Sequence, residues 1–126
     1  MLLAPTALKV FALRGVTDMR KSFSGLVGLV ETQLCQQVES GHLFLFFNRR
    51  RDRVKVLYFV GDGLVIFYKR LERGTFEMPA ALMSPPQPDV SVGVEIRWSD
   101  LALILEGIEL SSVRRRKWWR RETQPA

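Results

Sequence analysis

The sequence predicts an α+β domain: a mostly antiparallel sheet of five to six strands, one long helix packed on a face, and a short C-terminal helix. Three observations predict it. Between Gly41 and Phe76 the apolar runs HLFLFF, VKVLYFV and LVIFYKRL are separated by the turns NRRRDR and GDG, the pattern of a strand meander. Met19, Phe23, Leu26, Val27, Val30 and Leu34 recur at three- and four-residue spacing, one apolar stripe of a helix. Val90, Val92, Val94, Ile96 and Trp98 alternate with Ser91, Gly93, Glu95 and Arg97, the period of a half-buried strand.

Taken in order, Leu8 to Leu13 reads as a first strand broken by Gly15. Thr17 or Asp18 is placed to cap the following helix, whose first amides need a side-chain oxygen, and the stripe carries that helix to about Gln37. Gly25 and Gly28 lie inside it and read as points of close packing on the sheet. Ser40-Gly41 ends the helical region. His42 to Phe47 is apolar on both faces and so belongs in the middle of the sheet. Arg53 to Val60 and Leu64 to Leu71 form a hairpin about Gly61-Asp62-Gly63. Glu72-Arg73-Gly74 turns the chain into a further strand, Thr75 to Met78. Pro79 to Asp89, with four of the six prolines, reads as loop. Ser99 and Asp100 cap a short helix with Leu101, Ile104, Leu105 and Ile108 inward, and Trp98 is expected to anchor the core at its start. The division is one domain over 1–112 and a basic tail over 113–126.

Composition bounds the function. A chain of 126 residues with 47% hydrophobic and 25% charged residues builds one core. A single cysteine, Cys35, expected in the core or at its boundary, excludes an intramolecular disulfide and a cysteine-built metal site, and fits a reducing cytoplasm. The start, MLLAPTALKVFALRG, is interrupted by Pro5 and lacks the layout of a signal peptide. No run reaches the roughly 18 apolar residues of a spanning helix, so no membrane partner is expected. A net charge of +6 and a pI of about 10.1 favour an acidic partner.

Three basic features compete for that partner. The tail holds Arg114, Arg115, Arg116, Lys117, Arg120 and Arg121 around Trp118 and Trp119. Arginine grips phosphate with two parallel hydrogen bonds and indole stacks on bases, which suits nucleic acid. The same tail could be a solvated terminus, pack back on the domain, enter a membrane interface or dock on a protein. In the turn Asn48 to Arg53, Arg49, Arg50, Arg51 and Arg53 are offset only by Asp52. A rigid turn is a good phosphate platform, because little entropy is lost on binding; the alternative is a charged turn that keeps the sheet soluble. Finally, Arg20 and Lys21, with Lys69, Arg70 and Arg73, form a possible anion site. Arg20 and Lys21 fall in the expected first helical turn, where the dipole disfavours cations. Pairing with Asp18 or Glu72 and anion capture at the helix start both account for them.

Nothing points to catalysis, a metal or a cofactor. The one histidine, His42, opens a strand, and no second histidine or cysteine group completes a zinc site. Asp18, Asp62 and Asp100 could be imagined as a metal-binding trio of a nuclease, but each is explained as a cap or turn residue. Gly61-Asp62-Gly63 is too short for a phosphate loop.

Four segments in order, Thr17-Asp18-Met19-Arg20-Lys21-Ser22-Phe23, Asn48-Arg49-Arg50-Arg51-Asp52-Arg53, Lys69-Arg70-Leu71-Glu72-Arg73-Gly74 and Leu105-Glu106-Gly107-Ile108, carry a resemblance. Over Leu8 to Leu110 the chain resembles the TnpB-type accessory protein encoded by the second reading frame of bacterial insertion sequences of the sixty-six family, unrelated to the RNA-guided nuclease of the same label. The resemblance implies a part in transposition beside a separate, larger transposase. The reading is a non-enzymatic accessory protein that binds DNA through phosphate and assists that transposase. The alternative is an adaptor that docks on the transposase, or on another copy of itself, without touching DNA.

Overall fold

The structure, a computed structural model, describes residues 8–83 and 92–106, and the backbone of 108–109 and 114–115. Its centre is a five-stranded mixed sheet built from β1 (Val10–Leu13), β2 (Leu43–Phe47), β3 (Arg53–Val60), β4 (Gly63–Arg70) and β5 (Gly93–Ile96), in the order β4-β3-β2-β1-β5. The helices are α1 (Phe23–Thr32), a single turn α2 (Ala80–Met83) and α3 (Trp98–Glu106). A separate backbone pairing joins β6 (Ile108–Glu109) to β7 (Arg114–Arg115).

The meander is as the sequence implies. β2 is central and nearly all buried, because its alternate residues face two different cores. β3 and β4 pair over their full lengths through the two-residue turn Gly61-Asp62. Gly61 has φ of 61° and Asp62 does not have positive φ, the pattern of a type II′ turn, which matches the twist of the flanking strands. The antiparallel expectation fails at one place: β1 pairs with β2 in parallel. Parallel neighbours need a long crossover, and α1 with its flanking loops supplies it.

Period-two alternation divides the sheet into two faces. Phe44, Phe46 and Leu57 pack with Leu26, Val30 and Leu34 of the α1 region and Val38 of a following 3₁₀ turn. Val10, Ala12, Leu45, Phe47, Val54 and Val56 face the other way, onto Phe76, Leu101 and Ile104. Helical layers therefore cover both faces, rather than one.

The helix is shorter at both ends than the stripe suggests. It begins at Phe23 after Ser22, whose side chain makes no cap, and neither Thr17 nor Asp18 caps it. The Lys55 ammonium occupies the carbonyls of Met19 (2.8 Å) and Lys21 (2.7 Å), while Asp18 takes the Arg20 amide (2.9 Å). Backbone groups that a first helical turn would use are thus committed elsewhere. The helix ends with Cys35 in the left-handed region (φ 54°) and the Gln36 amide on the Val30 carbonyl. Cys35 is exposed, not a core or boundary residue. Phe23 is exposed as well, at the first position of the helix. A Cβ at Gly28 would meet nothing within 4 Å, and one at Gly25 would meet the Lys21 side chain, so neither glycine marks contact with the sheet.

Three further expectations fail. Thr75 to Met78 is not a strand: Phe76 donates to the Arg51 carbonyl (2.8 Å) and its ring packs on Phe47, but the segment crosses the sheet face instead of extending it. Residues 80–83, expected as loop, form α2, and 84–91 lie outside the described residues. Trp98 is not a core anchor. It is 45% exposed at the first position of α3, and its Nε1–H donates to the Leu8 carbonyl (3.0 Å) at the sheet margin. The Arg97 carbonyl opens α3 by accepting from the Leu101 amide, and Asp100 caps it by accepting from the Arg97 amide (3.2 Å).

Candidate nucleic-acid interface

The turn between β2 and β3 is rigidly built. The Asn48 carbonyl accepts from the Arg51 amide (3.1 Å) and closes it. The Asn48 side-chain oxygen accepts from the amides of Asp52 (3.1 Å) and Arg53 (3.0 Å), and its NH₂ donates to the Asp52 carboxylate (2.6 Å). Asn48 is the donor that chiefly holds the Asp52 carboxyl below its ordinary range, with Arg50 and Arg53 adding their charge. From outside, the Arg51 carbonyl accepts from Phe76 and the Asp52 carbonyl from Leu71 (2.7 Å). The loop that carries Glu72-Arg73-Gly74 is therefore stapled to the turn at both of its ends.

This frame holds the arginines outward. Arg49, Arg50 and Arg51 are exposed and Arg53 is half-buried. None of the four is within ion-pair distance of a carboxylate among the described residues. Arg53 instead donates to the Tyr68 hydroxyl (3.2 Å), and Arg51 reaches the Met83 sulfur. Arg51 has φ of 58°. That region suits glycine, and a side chain there costs roughly 1 kcal/mol. Tolerating an arginine at such a position points to a use for the side chain.

The expected anion site of Arg20, Lys21, Lys69, Arg70 and Arg73 does not assemble as a unit. Lys69 and Arg70 are neighbours on a strand and leave it on opposite faces. Lys69 Nζ donates to the Leu105 carbonyl (2.6 Å) at the end of α3, where a cation complements the helix dipole. Arg70 pairs with Glu72 (2.9 Å). Arg20 and Lys21 precede α1 in a turn closed by Lys21 donating to the Asp18 carbonyl (3.1 Å), not in a helical first turn. Arg20 grips Asp18 through Nε and Nη2 at 2.7–3.1 Å. Of the pairings expected for Arg20 and Lys21, the one between Arg20 and Asp18 forms, while Glu72 pairs with Arg70 instead.

What the structure does bring together is the turn at 18–21 and the arginine turn. The Thr17 amide donates to the Phe47 carbonyl (2.8 Å), and Met19 shares a depression with Asn48, Arg49, Arg50, Asp52 and Arg53. Arg53, Tyr68, Arg70 and Glu72 line the adjoining one. One end of the sheet is thus basic. Of the tail, Arg114 and Arg115 pair their backbone with Glu109 and Ile108; their side chains, and all of Arg116, Lys117, Trp118, Trp119, Arg120 and Arg121, lie outside the described residues.

The residue that sequence reasoning missed is Lys55. It is 7% exposed, gives its ammonium to two loop carbonyls, and lies 4.7 Å from the centre of the Tyr68 ring. Its signal was visible: a lone lysine between Val54 and Val56 in a buried strand. His42 is structural, with Nδ1 accepting from the Lys9 amide (2.9 Å) and its ring edge-on to Phe11. No group of three metal-ligating side chains occurs among the described residues. No helix among them is long and apolar enough to cross a membrane.

Asp18 offers a check on the basic end in solution. Arg20, by its side chain and its amide, pulls the carboxyl from 3.8 down to about 2. A depressed value means that the pair supports the fold above the ordinary carboxylate range and is lost as pH falls through about 2. Carboxyl NMR titration should give a midpoint near 2 for Asp18, rising toward 3.8 in Arg20→Ala. An unperturbed midpoint in the native chain would show that the pair does not persist in solution.

The described residues form a small mixed α+β domain whose sheet is basic at one end. The family model described as IS66 Orf2 like protein matches residues 8–115, and the chain belongs to that family, the accessory proteins of this class of insertion sequence. Two relatives come from Sinorhizobium fredii. Uncharacterized protein y4jC is 28% identical over 109 residues, covering 86% of each chain. Uncharacterized protein y4hO is 38% identical over 74 residues, covering 59% of this chain and 64% of its own. No solved structure matches.

Proposed function

We propose that this accessory protein binds DNA non-specifically through its phosphates and thereby helps a separate transposase assemble on the ends of the element. The observation that carries the reading is the β2–β3 turn: four arginines on a frame fixed by Asn48, with no carboxylate partner among the described residues. Arginine forks match phosphate, and a prebuilt platform loses little entropy when it binds. Arg20 and Lys21 extend the surface on one side, and Arg70 and Arg73 on the other. The tail from Arg114 to Arg121 supplies a second arm with Trp118 and Trp119 for stacking. α1 and α3 pack on opposite faces of the sheet, so they do not form the helix-turn-helix pair that reads bases.

The test is duplex DNA binding across a salt series, with the whole chain against a chain ending at Ser112. Phosphate binding releases counterions, so affinity should fall steeply with salt, and truncation should flatten the slope by about 0.9 for each phosphate that the tail neutralises. Failure of both chains to bind DNA at low salt would sink the proposal. The rival reading, an adaptor docking on the transposase, would then lead, and its affinity should be much less salt-dependent.

A further inference from the structure

We infer that β4 is a self-association edge, where two copies of this chain pair antiparallel about a two-fold axis at Ile66 to form one continuous sheet. β4 ends the strand order and pairs only with β3, so the amides and carbonyls along its outer edge have no strand partner among the described residues. It runs for eight residues, about 27 Å at the usual rise, without a proline. Protected edges are short, charged, bulged or covered. Here Gly63 to Tyr68 carries no charge, and Val65, Phe67 and Tyr68 are 38%, 41% and 46% exposed. Of the two cations at the end of the strand, Lys69 is held by α3, and Arg70 pairs with Glu72 yet stays exposed enough to reach a second carboxylate.

Charge complementarity selects a second copy and its register. A two-fold axis perpendicular to the sheet keeps each face continuous, so opposed residues must share a face. Centring on Ile66 pairs Phe67 with Val65 of the second copy, Tyr68 with Leu64, and Arg70 with Asp62, each twice by symmetry. Moving the centre to Phe67 puts Lys69 against Val65 and Arg70 against Leu64, and moving it to Val65 puts Tyr68 against Asp62. Only the Ile66 register joins opposite charges while matching apolar residues on both faces. Asp62 has no ion pair among the described residues and sits in the turn beside the open edge.

The test is sedimentation of the whole chain from about 1 to 300 µM, where a pairing of this small size should show a reversible monomer–dimer equilibrium. Val65→Lys replaces an exposed side chain with a charge at the seam and should raise the dimer dissociation constant at least tenfold with an unchanged circular dichroism spectrum. Asp62→Arg and Arg70→Asp should each weaken the dimer about fivefold by opposing like charges, and the double variant should recover it. A chain that stays monomeric throughout, or a dimer indifferent to Val65→Lys, would overturn the inference. A double variant no tighter than the singles would overturn the register. Val65 lies away from the arginine turn, so DNA affinity per protomer at nanomolar protein should be unaffected by Val65→Lys, which keeps this outcome separate from that of DNA binding.

Discussion

Replacing Lys55 with alanine should lower stability by about 2 to 4 kcal/mol, the largest loss expected from any single polar side chain here. Three contributions disappear together. Hydrogen bonds from a charged donor to the carbonyls of Met19 and Lys21 are each worth about 1.5 to 3 kcal/mol before the ammonium's own desolvation is counted against them. The interaction with the Tyr68 ring adds roughly 0.5 to 2 kcal/mol. The four-carbon stem, packed at 7% exposure, leaves a cavity. Lys55→Met separates the cavity from the rest, since it keeps a stem of similar size and removes the ammonium with both its hydrogen bonds and its contact to the Tyr68 ring; it should cost about half as much. For a domain of this size the alanine variant should melt roughly 10 °C lower. A methionine variant that melts with the native chain would show that the two carbonyls are satisfied by water at no loss, and that the loop at 18–21 is not anchored by Lys55.

That anchor also explains where the sequence could be read and where it could not. The meander was legible because its signals are local: alternation in β3 and β4, a Gly-Asp turn, and two-sided apolarity in β2. The helix start was not legible, because it is decided by a side chain 34 positions away from Lys21. The parallel pairing of β1 with β2 was hidden for a related reason. Val10 to Leu13 reads the same in either direction, and only the crossover through α1 fixes its sense. Phe76 and Met78 carry the alternation of a strand and do face the core, yet periodicity reports side-chain burial and says nothing of ladder bonds. Size and hydrophobicity placed Trp98 inside; its indole N–H instead needed an acceptor, and Leu8 offers one at the margin. Of the candidate site, the arginine turn stood out as charge between two apolar runs. Grouping Lys69 with Arg70 overlooked that neighbours on a strand point apart.

Neutralising the arginine turn should produce the largest functional loss. If Arg49, Arg50 and Arg53 each hold one phosphate, their joint change to glutamine should flatten the salt dependence of DNA binding by about 2.7 and weaken binding about 100-fold or more near 0.1 M salt. Glutamine is shorter but stays polar and uncharged, and Asn48 still closes the turn through backbone amides, so the fold should be undisturbed. The alternative, a charged turn that only keeps the sheet soluble, predicts little change in affinity. Arg51 distinguishes the two more sharply, because stability and function should move in opposite directions there. Arg51→Gly relieves the left-handed strain at φ 58° and should stabilise the chain by about 0.5 to 1 kcal/mol. The same change removes a guanidinium and should weaken DNA binding roughly fivefold, with a slope flatter by about 0.9. A position selected for solubility has no reason to prefer a strained arginine over glycine when unstrained surface positions are available. A variant that is more stable and binds DNA as tightly as the native chain would remove Arg51 from the interface.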